Sequence, residues 1–321
     1  MKGKVSGVRG SKVRAGTAES AAPIGVTMGD PAGVGPEIVI KALAGLRLRN
    51  LVLVGSRRVF EEEQRRQSAV ALPGNAVSDP VGRVGRFSMG KKQKRCGAAA
   101  LASLEHGVEL LRRGEIRALV TAPVSKQALR MAGFRWPGQT EFLAERLGAK
   151  RHAMLAWTRR FKSVFVTIHL PLSLVARRIT TAAVLEKTEL LHGFLVREGN
   201  PEPRIGVMSL NPHGSEFSRG EEARIREAVR RARRAGIDAH GPVPADALVA
   251  RSGDYDGCVA MYHDQAMIPA KMAGNGVNVT LGLGRVRTSP LHGVAFDIAC
   301  TGRASSGSME AAIRLARRLG S

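Results

Sequence analysis

The chain has 321 residues, 44% of them hydrophobic, with 50 Lys+Arg against 27 Asp+Glu and a formal net charge of +23 at pH 7. That apolar content excludes global disorder and supplies a sizeable core, and the length allows one large domain or two lobes sharing a sheet. No uninterrupted apolar run approaches the ~20 residues that a membrane span needs, so a membrane-spanning chain is excluded.

Residues 1–22 carry Lys2, Lys4, Arg9, Lys12 and Arg14 against Glu19, and they lack the apolar stretch of a secretory signal. They read as a disordered basic extension, with a transit peptide or a misplaced start codon as alternatives. From residue 23 to residue 321 the pattern is that of a single α/β unit. Short apolar runs predict strands at Ile24–Met28, Leu51–Val54, Ala118–Thr121, Ala153–Ala156, Val164–His169, Ile205–Leu210, Gly257–Tyr262 and Val277–Leu281. Their near-continuous apolar character is that of strands buried on both faces. Helical spacing predicts helices at Pro36–Leu46, Gly97–Arg113, Thr181–Arg197, Glu221–Ala235 and Ser308–Leu319. In the fourth, Glu221 and Glu222 open the helix, Arg233 and Arg234 close it and Gly236 follows, as the helix dipole and a C-cap favour. Residues 68–92, rich in Gly, Pro, Val and Ser, read as a loop or irregular β-segment. Alternating βα units imply a largely parallel sheet covered by helices.

The basic excess is spread over the body, in clusters such as Lys91 to Arg95, Arg159 to Lys162 and Arg224 to Arg234. With aromatics at 4% there are too few rings for a stacking platform, and an Arg-rich solvated surface explains the charge better than a specific nucleic-acid site. Cys96, Cys258 and Cys300 lie far apart with no CxxC, so they read as reduced thiols of a cytoplasmic protein.

In open α/β sheets ligands bind outside the carboxyl ends of the strands. His169 ends the 164–169 run, His213 follows the 205–210 run and His263 follows the 257–262 run. Three imidazoles at equivalent positions suit a divalent transition metal with open positions for substrate. Thr121 to Lys126 follow the 118–121 strand, and Gly33-Val34-Gly35-Pro36 turns into a helix. That turn has two readings, an anion site at a helix start or an ordinary strand-to-helix connection. There is neither a Walker A sequence nor a GxGxxG fingerprint.

These motifs carry a resemblance. Gly25–Glu37, Val120–Lys126, Gly138–Phe142, Thr167–Leu172, Leu210–His213, Met261–Gln265 and Val277–Gly282, with Arg287–Ser289 and His292-Gly293, resemble the 4-hydroxythreonine-4-phosphate dehydrogenase family over residues 23–319. The resemblance implies an isocitrate/isopropylmalate dehydrogenase-like α/β fold, two lobes sharing a mainly parallel sheet. It implies a homodimer with shared active sites, and a divalent metal (Zn, Mg, Mn or Co) on His169, His213 and His263, the third from the other subunit. NAD or NADP is the implied cofactor. The implied reaction is oxidation and decarboxylation of 4-phosphooxy-L-threonine to 3-amino-2-oxopropyl phosphate, in pyridoxal 5′-phosphate synthesis. Substrate contacts would fall on Gln139, Thr140, Lys271, Asn278 and Arg287. Asp246, Asp264 and Lys271 are the catalytic candidates, although a surface or capping role competes for each Asp.

Two departures stand out. Gln139 occupies a position where the family usually has His, and Gly214–Gly220 replaces a longer Gly/His-rich stretch. They leave open the same chemistry on a phosphorylated aldonate (4-phosphoerythronate or threonate phosphate) or on a carboxylated dihydrodiol. A basic nucleic-acid-binding protein on an inactive dehydrogenase fold is the remaining alternative.

Overall fold

A computed structural model describes residues 22–46, 50–67 and 77–320. The strands are β1 (Ile24–Thr27), β2 (Leu51–Val54), β3 (Val77–Ser78), β4 (Ala118–Val120), β5 (Ala153–Trp157), β6 (Lys162–Phe165), β7 (Ile205–Met208), β8 (Ala239–Val243), β9 (Gly257–Ala260), β10 (Val277–Leu281) and β11 (Val286–Pro290). The helices are α1 (Gly35–Leu46), α2 (Arg57–Arg66), α3 (Lys94–Arg113), α4 (Lys126–Met131), α5 (Gln139–Arg146), α6 (Leu172–Arg178), α7 (Thr181–Arg197), α8 (Glu221–Arg234), α9 (Ala245–Ala250), α10 (His263–Met272) and α11 (Gly307–Leu319). All five helices and all eight strands expected from periodicity are present. The expected extension at residues 1–21, and residues 68–76 of the expected loop, lie outside the described residues.

All described strands join one sheet in the order β3-β2-β1-β4-β11-β10-β5-β6-β9-β7-β8. The β3-β2-β1-β4-β11 block is parallel throughout, as is the β6-β9-β7-β8 block. Between them β10 runs antiparallel to β11 and β5, and β5 antiparallel to β6. The two parallel blocks therefore point in opposite directions and meet at an antiparallel centre. This is the expected two-lobed, mainly parallel architecture.

Side chains explain the layering. β1, β4, β7 and β9 are buried at every position, because α3 and α11 cover the first block, and α7, α9 and α10 pack on β7 and β9 in the second. Each fully buried aliphatic side chain contributes about 1.5–3 kcal/mol. In α8, Ile225, Ala228, Val229 and Ala232 form the buried stripe, while Arg230, Arg231, Arg233 and Arg234 stay exposed. The three cysteines are free thiols. Among the described residues no helix is long and apolar enough to cross a membrane.

Candidate active site

The antiparallel centre carries a cleft of about 180 Å³. Thr121 to Val124 reach it from the end of β4, Ile168 and His169 from beyond β6, and Asn278 and Arg287 from the central strands. The carboxyl ends of the two oppositely directed blocks thus open onto one space. Arg287 is its floor, only 2% exposed. Its Nη1 donates to Thr280 Oγ1 at 3.0 Å, and its Nη2 donates to Thr121 Oγ1 at 2.6 Å and to Gln139 Oε1 at 3.1 Å. Burial pulls its pKa down to about 10, opposed by Glu141, so the guanidinium stays charged at neutral pH. Arg287 Nε and Asn278 Oδ1 are buried with no partner among the described residues. A buried donor or acceptor left unpaired costs about 1–3 kcal/mol, so both atoms await a polar ligand.

His169 lines the same cleft, in the left-handed region at φ 52°. A non-glycine residue held there is strained, which the surrounding structure has to sustain. Beyond β6 the backbone stays tied to the end of β9 and the residue after it by Val166 N–H to Ala260 O and Thr167 N–H to Met261 O, and the chain turns only at His169. The expected strand over 164–169 is thus shorter as β6 but continues as paired extended backbone to Thr167. Burial, then Lys126 and His263, push the His169 pKa down, while Glu141 opposes. A neutral imidazole with a free lone pair results.

His263 opens α10 with its ring 6.1 Å from that of His169 and stacked on Phe165 at 5.9 Å. Its Nδ1 lies 2.6 Å from Asp264 Oδ1. A carboxylate can only accept, so Nδ1 carries the proton, the usual way a neighbouring group orients a ligating histidine. His213, at φ 56°, stands on the loop after β7, its ring 6.1 Å from that of Phe217. Glu222 anchors that loop by accepting from Leu210 N–H, Asn211 N–H and Asn211 Nδ2. Burial raises the Glu222 pKa, but hydrogen bonds from Ser218 and Asn211 outweigh it and leave the carboxyl below its usual range. Among the described residues no three His, Cys, Asp or Glu side chains of one chain form a metal-holding group. The chain brings His169 and His263 together and leaves His213 apart.

Of the remaining expected residues, Gln139, Thr140, Asn278 and Arg287 line the cleft. Lys271 does not; it is exposed in the last turn of α10. Asp246 is exposed in the first turn of α9 and does not line the cleft, and Asp264 serves to hold His263. Lys126 and Glu141 do line it and escaped the sequence reading. Lys126 had a signal, since it closes the segment after β4 just as the histidines follow their strands. The turn after β1 resolves to a plain connection: the Ala32, Gly33 and Val34 N–H groups donate to Asp30 Oδ1, Asp30 O and Val294 O. No N–H of those three remains for an anion.

The model of the family "Pyridoxal phosphate biosynthetic protein PdxA" matches residues 38–316. The chain is 39% identical to D-threonate 4-phosphate dehydrogenase of Salmonella typhimurium, over 92% of this chain and 98% of that one. It is 41% identical to 4-hydroxythreonine-4-phosphate dehydrogenase of Beijerinckia indica, over 92% and 95%. A crystal structure of 4-hydroxythreonine-4-phosphate dehydrogenase from Klebsiella pneumoniae superposes with a TM-score of 0.81 at 34% identity, covering 94% of this chain and all 100% of the other.

Proposed function

The chain belongs to the PdxA family and is a dehydrogenase acting on a CH–OH group, and from that premise we propose that its substrate is 4-phosphooxy-L-threonine. In that reaction C3 gives up a hydride, for which bound NAD or NADP would be the acceptor, and the hydroxyl proton is released. The resulting β-keto acid then loses CO2 from C2, which takes up a proton to give 3-amino-2-oxopropyl phosphate, a precursor in pyridoxal 5′-phosphate synthesis. The observation that carries this reading is one cleft in which a neutral imidazole, Lys126 and the buried Arg287 converge.

The donor set fits a divalent cation, because the His169–His263 pair offers two lone pairs and Asp264 fixes the second ring. When bound, the cation (Zn, Mg, Mn or Co) supplies Lewis acidity toward substrate oxygen and the dinucleotide supplies the hydride acceptor. The chain's own residues do the rest. Arg287 is held rigid by Thr121, Thr280 and Gln139, so it meets phosphate or carboxylate with little further loss of side-chain freedom. Lys126 adds a second cation at the rim. Asn278 Oδ1, buried and without a donor, suits an ammonium or hydroxyl at C2.

The reading includes a homodimer that completes the metal site with His213 of a second copy. Exposed apolar side chains support it: Leu170, Leu172 and Leu174 follow His169, Phe217 follows His213, and Ile268 and Met272 follow His263, at 41–83% exposure. Apolar surface gathered beside all three histidines is what a partner subunit would cover. Lys271 shares α10 with Ile268 and Met272, so it would reach a cleft across that interface. A cytoplasmic location goes with the three free thiols.

Gln139 favours a second reading. With its Oε1 engaged by Arg287, it presents its amide N–H to the cleft in place of an imidazole, which leaves D-threonate 4-phosphate as a competing substrate. The test is steady-state kinetics of the metal-loaded chain on both phosphates with each dinucleotide. Turnover with CO2 release is expected for 4-phosphooxy-L-threonine. Turnover of D-threonate 4-phosphate alone would select the second reading, and none on either would remove both.

A further inference from the structure

At the far end of β6 from His169 a second, larger concavity opens, a groove of about 1070 Å³. Its walls come from separate segments: the β5–β6 turn, the end of α7, the α10–β10 turn and the exposed edge of α11. Five cations line it against two carboxylates. One carboxylate, Glu198, is already neutralised, taking Lys162, Arg318 and the Trp157 indole N–H. The other, Glu310, accepts from Ser306 Oγ. Arg159, Arg160 and Arg314 are exposed, and among the described residues no carboxylate lies within ion-pair reach of them. Three guanidinium groups held in one concave site repel each other unless an anion lies between them.

The N-terminus of α11 enters the same groove at Gly307. This helix has 13 residues; the Gly307 N–H donates to Ser305 Oγ at 3.4 Å, and the helix end adds positive potential to that of the arginines. The approach is tight. A Cβ at Gly307 would lie 2.2 Å from Asn275 Oδ1, and Asn275 itself is held at φ 45°. The α10–β10 turn and the helix end are therefore packed into a fixed wall.

We propose that this groove is a second ligand site, specific for a small polyphosphate-bearing anion and separate from the catalytic cleft. Concavity and size favour a compact ligand over a nucleic acid: the volume lies just above the range of small-molecule sites, and the one aromatic residue in the wall, Trp157, is 9% exposed and offers no stacking face. Arginine forks supply bidentate contacts to phosphate oxygens, which a point-charge surface would not.

The probe is inorganic tripolyphosphate, titrated by calorimetry into the full chain in metal-free buffer at physiological ionic strength. Saturable one-to-one binding per chain is expected. Arg160→Ala with Arg314→Ala should weaken it at least tenfold while leaving the melting temperature unchanged, since neither side chain holds a partner among the described residues. Trp157 emission in a Trp136→Phe background should report the same isotherm, and His169→Ala with Lys126→Ala should leave it unaltered. Absence of saturable binding would overturn the proposal, as would binding lost with the cleft variants or untouched by the groove variants. Tighter, length-dependent binding of a single-stranded RNA to the same arginines would also overturn it, in favour of a nucleic-acid surface.

Discussion

Arg287 shows how a single side chain converts strand order into chemistry. It leaves β11 between β4 and β10, which is why it can reach Thr121 on one side and Thr280 on the other. Its third partner, Gln139, is 148 residues away in sequence, so nothing local announces the contact. Gln139→Leu removes that acceptor and the amide N–H together. Losing one charge-assisted hydrogen bond costs about 1.5–3 kcal/mol, roughly ten- to a hundredfold. We expect kcat/KM to fall in that range, mainly through KM, on whichever phosphorylated acid is turned over. Steady-state kinetics over a full substrate range measures it. Asp30 makes a separate prediction. Burial raises its pKa to about 6, against the backbone N–H groups of Ala32 and Ser125, and its Oδ2 has no partner among the described residues. Because the native state holds this proton more tightly than the unfolded chain, stability from Asp30 is present below about pH 4 and lost as pH rises through about 6. The shift corresponds to about 3 kcal/mol at most. Asp30→Asn should therefore gain stability relative to the parent between pH 4 and pH 7. Denaturant melts across that range test it; a constant difference would show that Asp30 ionises normally. Residues of this kind were half legible in the sequence. The histidines stood out because each followed an apolar run. Lys126 stood at an equivalent position, closing the segment after the 118–121 run, but it was not singled out as a site residue.

At the scale of elements, helix contacts set where the cleft residues stand. α3 crosses α4 at Gly97, where an added Cβ would lie 1.9 Å from Ala128 O. That oxygen belongs to the backbone, so accommodation means moving α4, and α4 begins at Lys126. Gly97→Ala should cost about 1–3 kcal/mol by overpacking, outweighing the better helix propensity of Ala, and should lower activity by displacing Lys126. Gly193 is the control. It lies within α7, and a Cβ added there would meet no described atom within 4 Å, so Gly193→Ala should stabilise by about 0.5–1 kcal/mol and leave activity alone. Equal melting temperatures for the two variants would contradict the packing argument. Elements with strong periodicity were readable from the sequence for the same reason that they are stable: their apolar faces are continuous. Among the elements that were missed, three are of another kind. β8 (Ala-His-Gly-Pro-Val) has only its first residue fully buried, β11 mixes Arg, Thr and Ser into a buried central strand, and α10 carries Pro269 inside it. In β11 Arg287 and Ser289 are buried at the cleft while Thr288 donates to Ala312 O of α11, so local apolarity fails as a signal beside the site.

For the whole molecule, the decisive feature is that the two parallel blocks face opposite ways and share one antiparallel seam. That arrangement places the ends of β4 and β6 over a common cleft, but it leaves the loop after β7, with His213, off to one side. Two histidines from one chain and one from its partner would complete the metal set, with the apolar residues beside them as the interface. The sequence marked the three positions, yet it could not show that His169 and His263 meet within one chain, because that depends on β6 lying next to β9 while β7 lies one strand further out. The family resemblance assigns the crossing ligand to His263, whereas the fold puts His263 against His169. Mixing inactive variants separates these assignments. If His213 crosses, a hybrid of His169→Ala with His213→Ala retains one intact site, and so does a hybrid of His263→Ala with His213→Ala. Each equimolar mixture should regain up to about a quarter of parental activity, since half the dimers are hybrids and each hybrid has one working site of two. His169→Ala mixed with His263→Ala should stay inactive, because every site then lacks one member of the pair. The His263→Ala with His213→Ala mixture recovers under either assignment, so the other two decide: recovery of His169→Ala with His263→Ala while His169→Ala with His213→Ala stays inactive, after subunit exchange has been verified, would return the crossing role to His263. A further variant, Leu172→Asp with Ile268→Asp, should shift the chain to monomer in analytical ultracentrifugation and abolish turnover. The His169–His263 pair and Arg287 would stay in place, so loss of activity in a folded monomer would locate the missing group on the partner.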